Sequence, residues 1–316
     1  MDLSIGVVVP SYRRPEHLRG CLAALLAQQR APNEVLVVAR PDDAASLRVI
    51  GEFPAPVRLV VVEQPGLLAA MTAGAIASTT AIVAFTDDDA EPPPAWVRQL
   101  LEAFEDPAVG GVGGRDLIAG DEGAAALVVG RVTSWGRLIG NHNRACGPAR
   151  AVDVLKGVNM AYRREALALP SGYRGTSTHA HTEVAMGLWA RSRGWILRYD
   201  PAIVVIHHEA TRSHGLGRER WRPDAASEVA YNLVAGMLAA QPERFLRRCL
   251  YGVLIGDRGT PGLTRGVASM FAGHWQEALA VLYSLRGQTA ALVHTARGTG
   301  VTMRRLVDLD GDRSAG

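Results

Sequence analysis

The sequence predicts an α/β fold: a doubly wound, mostly parallel sheet followed by a helical C-terminal appendage. Three observations predict it. Up to Phe85, short Val- and Ile-rich runs without polar alternation are each followed by a segment of helical periodicity, the pattern of a parallel sheet covered on both faces. From about Ala225 the pattern becomes helical, and the change sets a boundary near Arg222-Pro223. Polar residues gather where the early strands end, and open α/β sheets bind ligands beyond the carboxyl ends of their strands.

The elements follow in order. Ser4–Val9 is a strand stopped by Pro10, and Pro15–Gln29 is an amphipathic helix with Leu18, Cys21, Leu22, Leu25 and Leu26 on one face. Glu34–Val38 is a second strand, Asp42–Ile50 a helix, Val57–Val62 a third strand, Gly66–Ala77 a helix and Ala81–Phe85 a fourth strand. Pro92–Phe104 is helical and Val109–Arg115 extended. Gly120–Arg150, with Trp135, Asn141, His142 and Asn143, is a long loop system over the site, since a loop of that length in a compact domain is usually functional. Val152–Met160 is extended, Thr182–Arg193 helical, and Ile196–Ile206 gives one or two strands around Asp200-Pro201. Helices follow over Ala225–Ala240, Glu243–Ile255 and Trp275–Arg297, with turns at Pro242, Asp257–Gly262 and Gly273, and the residues from Asp308 on are expected to be loose. The division is therefore 1–222 and 223–316.

Composition narrows the class. The chain of 316 residues is 48% hydrophobic and 21% charged, as expected of a globular protein, and a net charge of +3 is too weak a bias for a nucleic-acid partner. The excess lies in the C-terminal third, and Lys156 is the only lysine. Three scattered cysteines form neither a disulfide framework nor a zinc site. No signal peptide and no apolar run of about 18 residues is seen. The expected location is cytoplasmic, with peripheral contact to the inner membrane face as a further expectation.

The chemistry centres on Thr86-Asp87-Asp88-Asp89 at the end of the fourth strand. Three consecutive carboxylates repel one another. Such a triplet either caps the next helix in water or binds a hard cation such as Mg²⁺ or Mn²⁺, which takes one or two carboxylates plus substrate phosphates. No GxxxxGK[ST] loop occurs, and Val9-Pro10-Ser11-Tyr12-Arg13-Arg14-Pro15 replaces any GxGxxG after the first strand. A phosphorylated ligand would then be held through a metal. The polar strand ends Ser11–Arg14 and Arg40–Asp43 make Pro10, Tyr12, Arg14 and Arg40 candidate ligand contacts, together with Asp87 and Asp88. Trp135, in the long loop, is a candidate stacking surface for a sugar ring, and the arginines at 212, 218, 220 and 222 could meet a diphosphate, an anionic lipid carrier or a membrane surface.

These motifs, in this order and spacing, resemble the inverting family 2 glycosyltransferases of the GT-A fold. The resemblance covers about residues 3 to 210: Val7–Arg14, Cys21-Leu22 with Gln28, the DxD element Asp87-Asp88-Asp89, Lys156–Arg164, Glu183 with Arg193-Gly194-Trp195, and Tyr199-Asp200-Pro201 through His207. It implies a nucleotide-sugar donor and a divalent metal. Asp87 would contact ribose or metal, Asp89 would coordinate metal, and His207, with His208 as alternative, would be a third ligand or a diphosphate contact. Gly157 and Asn159 fall in the segment lining the acceptor side. Glu183 would be the general base, with His179 and His181 as rivals; as residue chemistry alone it is also a favourable first-turn carboxylate. The acceptor would be a glycan, a lipid-linked intermediate or a small molecule. The chain departs from the family pattern at Arg13, Arg40–Asp43, Met71-Thr72 and Thr182, so the resemblance does not name the nucleobase. Two other readings use the same features: a noncatalytic sugar-nucleotide or glycan-binding protein, and a nucleotidyltransferase, which would carry glycines where Val9–Pro15 has none. The C-terminal helices are expected to serve assembly, as in a homodimer, or acceptor delivery.

Overall fold

The computed structural model describes residues 3–118, 123–175, 181–208, 223–257 and 260–311. Strand β1 (Ile5–Pro10) is buried almost throughout, and helix α1 (Pro15–Leu26) begins with Pro15 in its first turn and buries Leu18, Cys21, Leu22 and Leu25. Strand β2 (Glu34–Ala39) leads to α2 (Ala44–Gly51), whose first turn is capped by the Asp43 carboxylate accepting from the Ser46 N–H at 3.1 Å. Then come β3 (Val57–Val61), α3 (Leu67–Ala77), β4 (Ile82–Phe85), the two-residue strand β5 (Ala90–Glu91), α4 (Trp96–Ala103) and β6 (Val109–Ile118). A small hairpin of β7 (Arg131–Val132) and β8 (Leu138–Ile139) interrupts the long loop. It is followed by β9 (Arg150–Val152), β10 (Met160–Arg163), β11 (Ala168–Ser171), α5 (Thr182–Ser192) and β12 (Ile196–His207).

The central sheet runs β3-β2-β1-β4-β10-β6-β12-β5, with β9 also on β12. Strands β3, β2, β1 and β4 are mutually parallel, as are β6 and β12, whereas β10 lies antiparallel between β4 and β6. The expected doubly wound, mostly parallel sheet is present, with one correction: it is not covered on both faces at its β3 edge, where Leu59 and Val61 are exposed. Of the one or two strands expected around Asp200-Pro201, the structure has one, Ile196–His207, bent by a bulge between Asp200 and Val204. Pro201 has no N–H for the ladder at that bend. On the facing strand only a glycine fits, because a Cβ at Gly114 would lie 1.8 Å from the Ile203 carbonyl oxygen.

The C-terminal region contains α6 (Pro223–Ala240), a 3₁₀ turn (Pro242–Arg244), α7 (Phe245–Leu254), a minimal pair of β13 (Gly256–Asp257) and β14 (Thr260–Pro261), α8 (Leu263–Phe271), α9 (Trp275–Ala296), β15 (Thr302–Arg305) and α10 (Leu306–Gly311). Between the expected turns at Asp257–Gly262 and Gly273 the structure places a further helix, α8, and Asp308 lies in a helix instead of a loose end. Contacts cross residue 222 freely. Val184 and Leu188 of α5 share a buried cluster with Leu233 and Met237 of α6, β15 pairs antiparallel with β11, and buried Leu306 joins the core beside Leu167 and Leu169. No described helix is long and apolar enough to cross a membrane.

Candidate metal and donor site

The acidic triplet follows β4 at its carboxyl end, where the antiparallel β10 adjoins it, and leads into β5. Thr86, fully buried, donates its hydroxyl to the Val158 carbonyl at 2.9 Å and fixes the start of the loop. Its far side is braced by Gln28, which donates to the carbonyls of Pro92 (3.0 Å) and Pro93 (2.9 Å) and accepts from the Val97 N–H (3.0 Å). Strand β5 pairs with the last residues of β12, placing His207 opposite Ala90. The His207 Nε2 lies 3.3 Å from Asp89 Oδ1, and its Nδ1 lies 3.8 Å from Asp116 Oδ2. One ligand atom each from Asp87, Asp89 and His207 falls within 4.8 Å of the others.

The alternation of a strand separates the two histidines. His208 is exposed, with its ring 3.4 Å from Glu91, and its backbone N–H donates to the Asp89 carbonyl at 2.8 Å. His207 is therefore the histidine that joins the acidic group.

Charge accounting makes this a place for a cation. Asp87, Asp88, Asp89 and Asp116 stand against two fixed cations. Arg14 bridges Asp88 and Asp89 at 3.0 Å each, and Lys156 pairs with Asp116. Burial and then the neighbouring Asp89 carboxylate push Asp87 up to about 7. Burial pushes Asp88 up to about 6 against the pull of Arg14. Burial alone would lower His207, but the Asp116 and Asp89 carboxylates outweigh it and raise it to about 9. Two carboxylates and an imidazole form a donor set suited to Mn²⁺ or Mg²⁺, and once His207 is neutral and the carboxyl groups are ionised, the negative charge left over beside Arg14 and Lys156 fits such an ion.

These shifts set a pH dependence for the metal-free protein. Asp87 and Asp88 hold protons to higher pH in the folded chain than in the unfolded one, so their cost appears as pH rises from about 4 to about 7. The contribution of His207 is complete below its ordinary value and is lost as pH rises through about 9. With chelator present, the part of stability owed to these groups falls as pH rises from about 4 to about 9. His207→Gln is expected to flatten the alkaline part of a melting-temperature profile; an unchanged profile in that variant would contradict the assignment.

The other expected residues divide. Pro10 ends β1, and the next residue, Ser11, donates its hydroxyl to Asp88 at 2.8 Å. Tyr12 is exposed, donates to Asp42 at 3.1 Å, and lies under the guanidinium groups of Arg13 (4.9 Å) and Arg40 (5.2 Å), with Arg40 also 3.0 Å from Asp42. Tyr12 and Arg40 thus form a stacked polar ledge, whereas Arg14 braces the acidic loop. Gly157 stands in the turn between β9 and β10 with open space at its Cβ position. Asn159 is fully buried: it accepts from the Trp96 indole at 2.9 Å and donates to the carbonyls of Arg115 (3.2 Å) and Ile203 (3.0 Å). Its side chain ties α4, β6 and β12 together. Trp135 is 52% exposed in the β7–β8 turn, and the neighbouring Gly136 carbonyl accepts from Arg248 of α7 at 2.7 Å.

Glu183 stands half-buried in the first turn of α5, after His181 in a left-handed conformation (φ 55°). Helix α5 is seated close to the loop after β9, where a Cβ at Gly187 would lie 2.4 Å from the Asp153 carbonyl oxygen. Burial raises the Glu183 carboxyl above its usual range, against a backbone hydrogen bond and the charge of Lys156. Lys156 also acts on Asp87, so base candidate and acidic group share one neighbour. His179 and the arginines at 212, 218, 220 and 222 lie outside the described residues, as do residues 119–122 of the long loop. The sequence reading missed Asp116. It ended the strand at Arg115, and the available signal was the single lysine that Asp116 binds.

The fold resembles solved glycosyltransferase structures. A mannosyltransferase, PcManGT from Pyrobaculum calidifontis, solved with GDP-Man and Mn²⁺, is 17% identical with a TM-score of 0.50 over 95% of this chain and 87% of that one. GalNAc-T7, solved with UDP, GalNAc and Mn²⁺, is 14% identical with a TM-score of 0.58 over 77% of this chain and 51% of that one. At these identities the likeness shows the GT-A fold. Glycosyltransferase AglE from Haloferax volcanii is 29% identical over 116 residues, 35% of this chain, and the match spans 38% of AglE's length. The profile of the family described as "Glycosyltransferase like family 2" matches residues 3–223. With that match over most of its length, the chain belongs to glycosyltransferase-like family 2.

Proposed function

We propose that the protein transfers a sugar from a nucleoside-diphosphate donor to an acceptor hydroxyl, with inversion at the anomeric carbon. The observation that carries the reading is the convergence of Asp87, Asp89 and His207 within 4.8 Å at the ends of β4 and β12. Family membership and the Mn²⁺, GDP-Man and UDP named in the similar structures support it. Asp87, Asp89 and His207 would hold the divalent ion, which when bound offsets charge on the departing diphosphate. Asp88, held by Ser11 and Arg14, keeps the loop in shape. The ledge of Tyr12 and Arg40, beside Pro10, receives the nucleoside.

Glu183 takes the proton of the acceptor hydroxyl. Its raised pKa makes it a stronger base than an ordinary carboxylate. The acceptor, a glycan, a lipid-linked sugar or a small molecule, approaches past Gly157, with Trp135 as a stacking surface at the outer edge. Residues 1–222 carry donor binding and chemistry, and 223–316 buttress α5 and the hairpin. The acidic group together with Glu183, a carboxylate that feels the charge of the same Lys156, favours an enzyme over a noncatalytic sugar binder.

A thermal-shift panel of nucleoside diphosphates and nucleotide sugars, with and without Mn²⁺, tests the reading. At least one nucleotide is expected to raise the melting temperature only when metal is present, since a ligand of the native state stabilises it. A panel in which no nucleotide responds to metal would contradict the reading.

A further inference from the structure

The C-terminal helices present an apolar face to solvent. Helix α8 packs on α9 through Gly266 against Val281, and it leaves Leu263, Val267, Met270 and Phe271 exposed. On α9, Trp275, Leu279, Leu282, Arg286 and Val293 recur at intervals of four, three, four and seven residues, which is one stripe of a helix, and all five are exposed. On α7, Arg247, Leu250 and Leu254 form a separate exposed stripe, on the side of that helix opposite Gly252, which packs on Gln288 of α9. The corner between α8 and α9 is the most exposed part of it: Phe271 is 91% exposed, and Trp275, across a short turn, is 65% exposed. An apolar surface of this extent marks an interaction site.

The charge on the face identifies the partner. Arg247 and Arg286 lie on the apolar stripes, and Arg265 is exposed on α8. Between Phe245 and Ala296 the sequence has two acidic residues, Asp257 and Glu277. Asp257 is bound by Arg248 at 3.1 Å and Tyr251 at 3.2 Å, and position 277 falls outside the spacing of the α9 stripe. A two-fold pairing of copies would set this face against itself and bring together two surfaces whose charges are both positive. An anionic bilayer answers both features, with headgroups for the arginines and an interface for Phe271 and Trp275.

We propose that the α8–α9 face, with Arg247 exposed on the adjoining α7, docks the protein on the surface of a membrane rich in anionic phospholipid, with the Phe271–Trp275 corner inserted at the headgroup level. The Asp87–Asp89–His207 group lies on other elements, at the ends of β4 and β12.

Sedimentation of the full chain with vesicles tests it. One set is phosphatidylcholine alone, and the other contains about a third phosphatidylglycerol. Binding is expected to be at least about tenfold tighter to the anionic vesicles and to weaken with salt. The double variant F271S/W275S is expected to lose about tenfold or more of that binding with an unchanged melting temperature, since both side chains are exposed. R247E/R286E is expected to lose the preference for anionic vesicles. Equal binding to the two vesicle types, or binding unaltered in F271S/W275S, would overturn the proposal. So would a dimer in light scattering that F271S/W275S disperses while wild type ignores vesicles. The assay contains no sugar donor, so its outcome is separate from that of the transferase reading.

Discussion

Glu183→Gln is expected to lower kcat by about a hundredfold to ten-thousandfold, the usual cost of losing a general base. The substitution keeps the size of the side chain and its hydrogen bonding in the first turn of α5, but the amide takes no proton. Donor Kd is expected to change little, because the diphosphate is assigned to the acidic group and the acceptor to Glu183. Burial raises the carboxyl, so the wild-type rate should rise with pH as the carboxylate forms, and that limb should vanish in the variant. The measurement is kcat against pH together with donor Kd for both proteins. A near-normal kcat would move the role to His181 or another carboxylate. A large loss of donor affinity at normal kcat would make Glu183 a donor-binding residue.

The acidic group was legible because its signals are local. Val- and Ile-rich runs marked β1, β2 and β4, and three carboxylates at the end of β4 carried their chemistry in consecutive positions. The order of strands was not legible. No periodicity shows that β10 inserts antiparallel between β4 and β6, and that insertion sets Lys156 beside Asp116, forty residues away in the chain. The choice between His207 and His208 had the same origin, since alternation separates them but only the pairing of β12 with β5 decides which faces Asp89. Asn159 drew attention through a motif that is read as acceptor-lining, yet its three bonds are internal and long-range. Helix α8 escaped notice because Thr264, Gly266 and Val267 are weak helix formers and its apolar residues have no buried partner to enforce a pattern.

Asp89→Ala is the substitution expected to act most strongly on the donor. Asp89 reaches His207, Arg14 and the proposed ion at once. Changes to outer-shell partners of a metal ligand already cost roughly 10–100-fold in metal affinity or activity, and loss of a ligand should cost more. The most direct measurement is calorimetric binding of a nucleoside diphosphate to wild type and Asp89→Ala, each with Mn²⁺ and with excess chelator. Binding to wild type is expected to require Mn²⁺ and to release protons, because raised carboxyl groups and His207 must give up protons to hold a metal, and a folded Asp89→Ala is expected to show no metal-dependent binding. Nucleotide binding to wild type that is indifferent to Mn²⁺, or that survives undiminished in Asp89→Ala, would contradict the metal assignment.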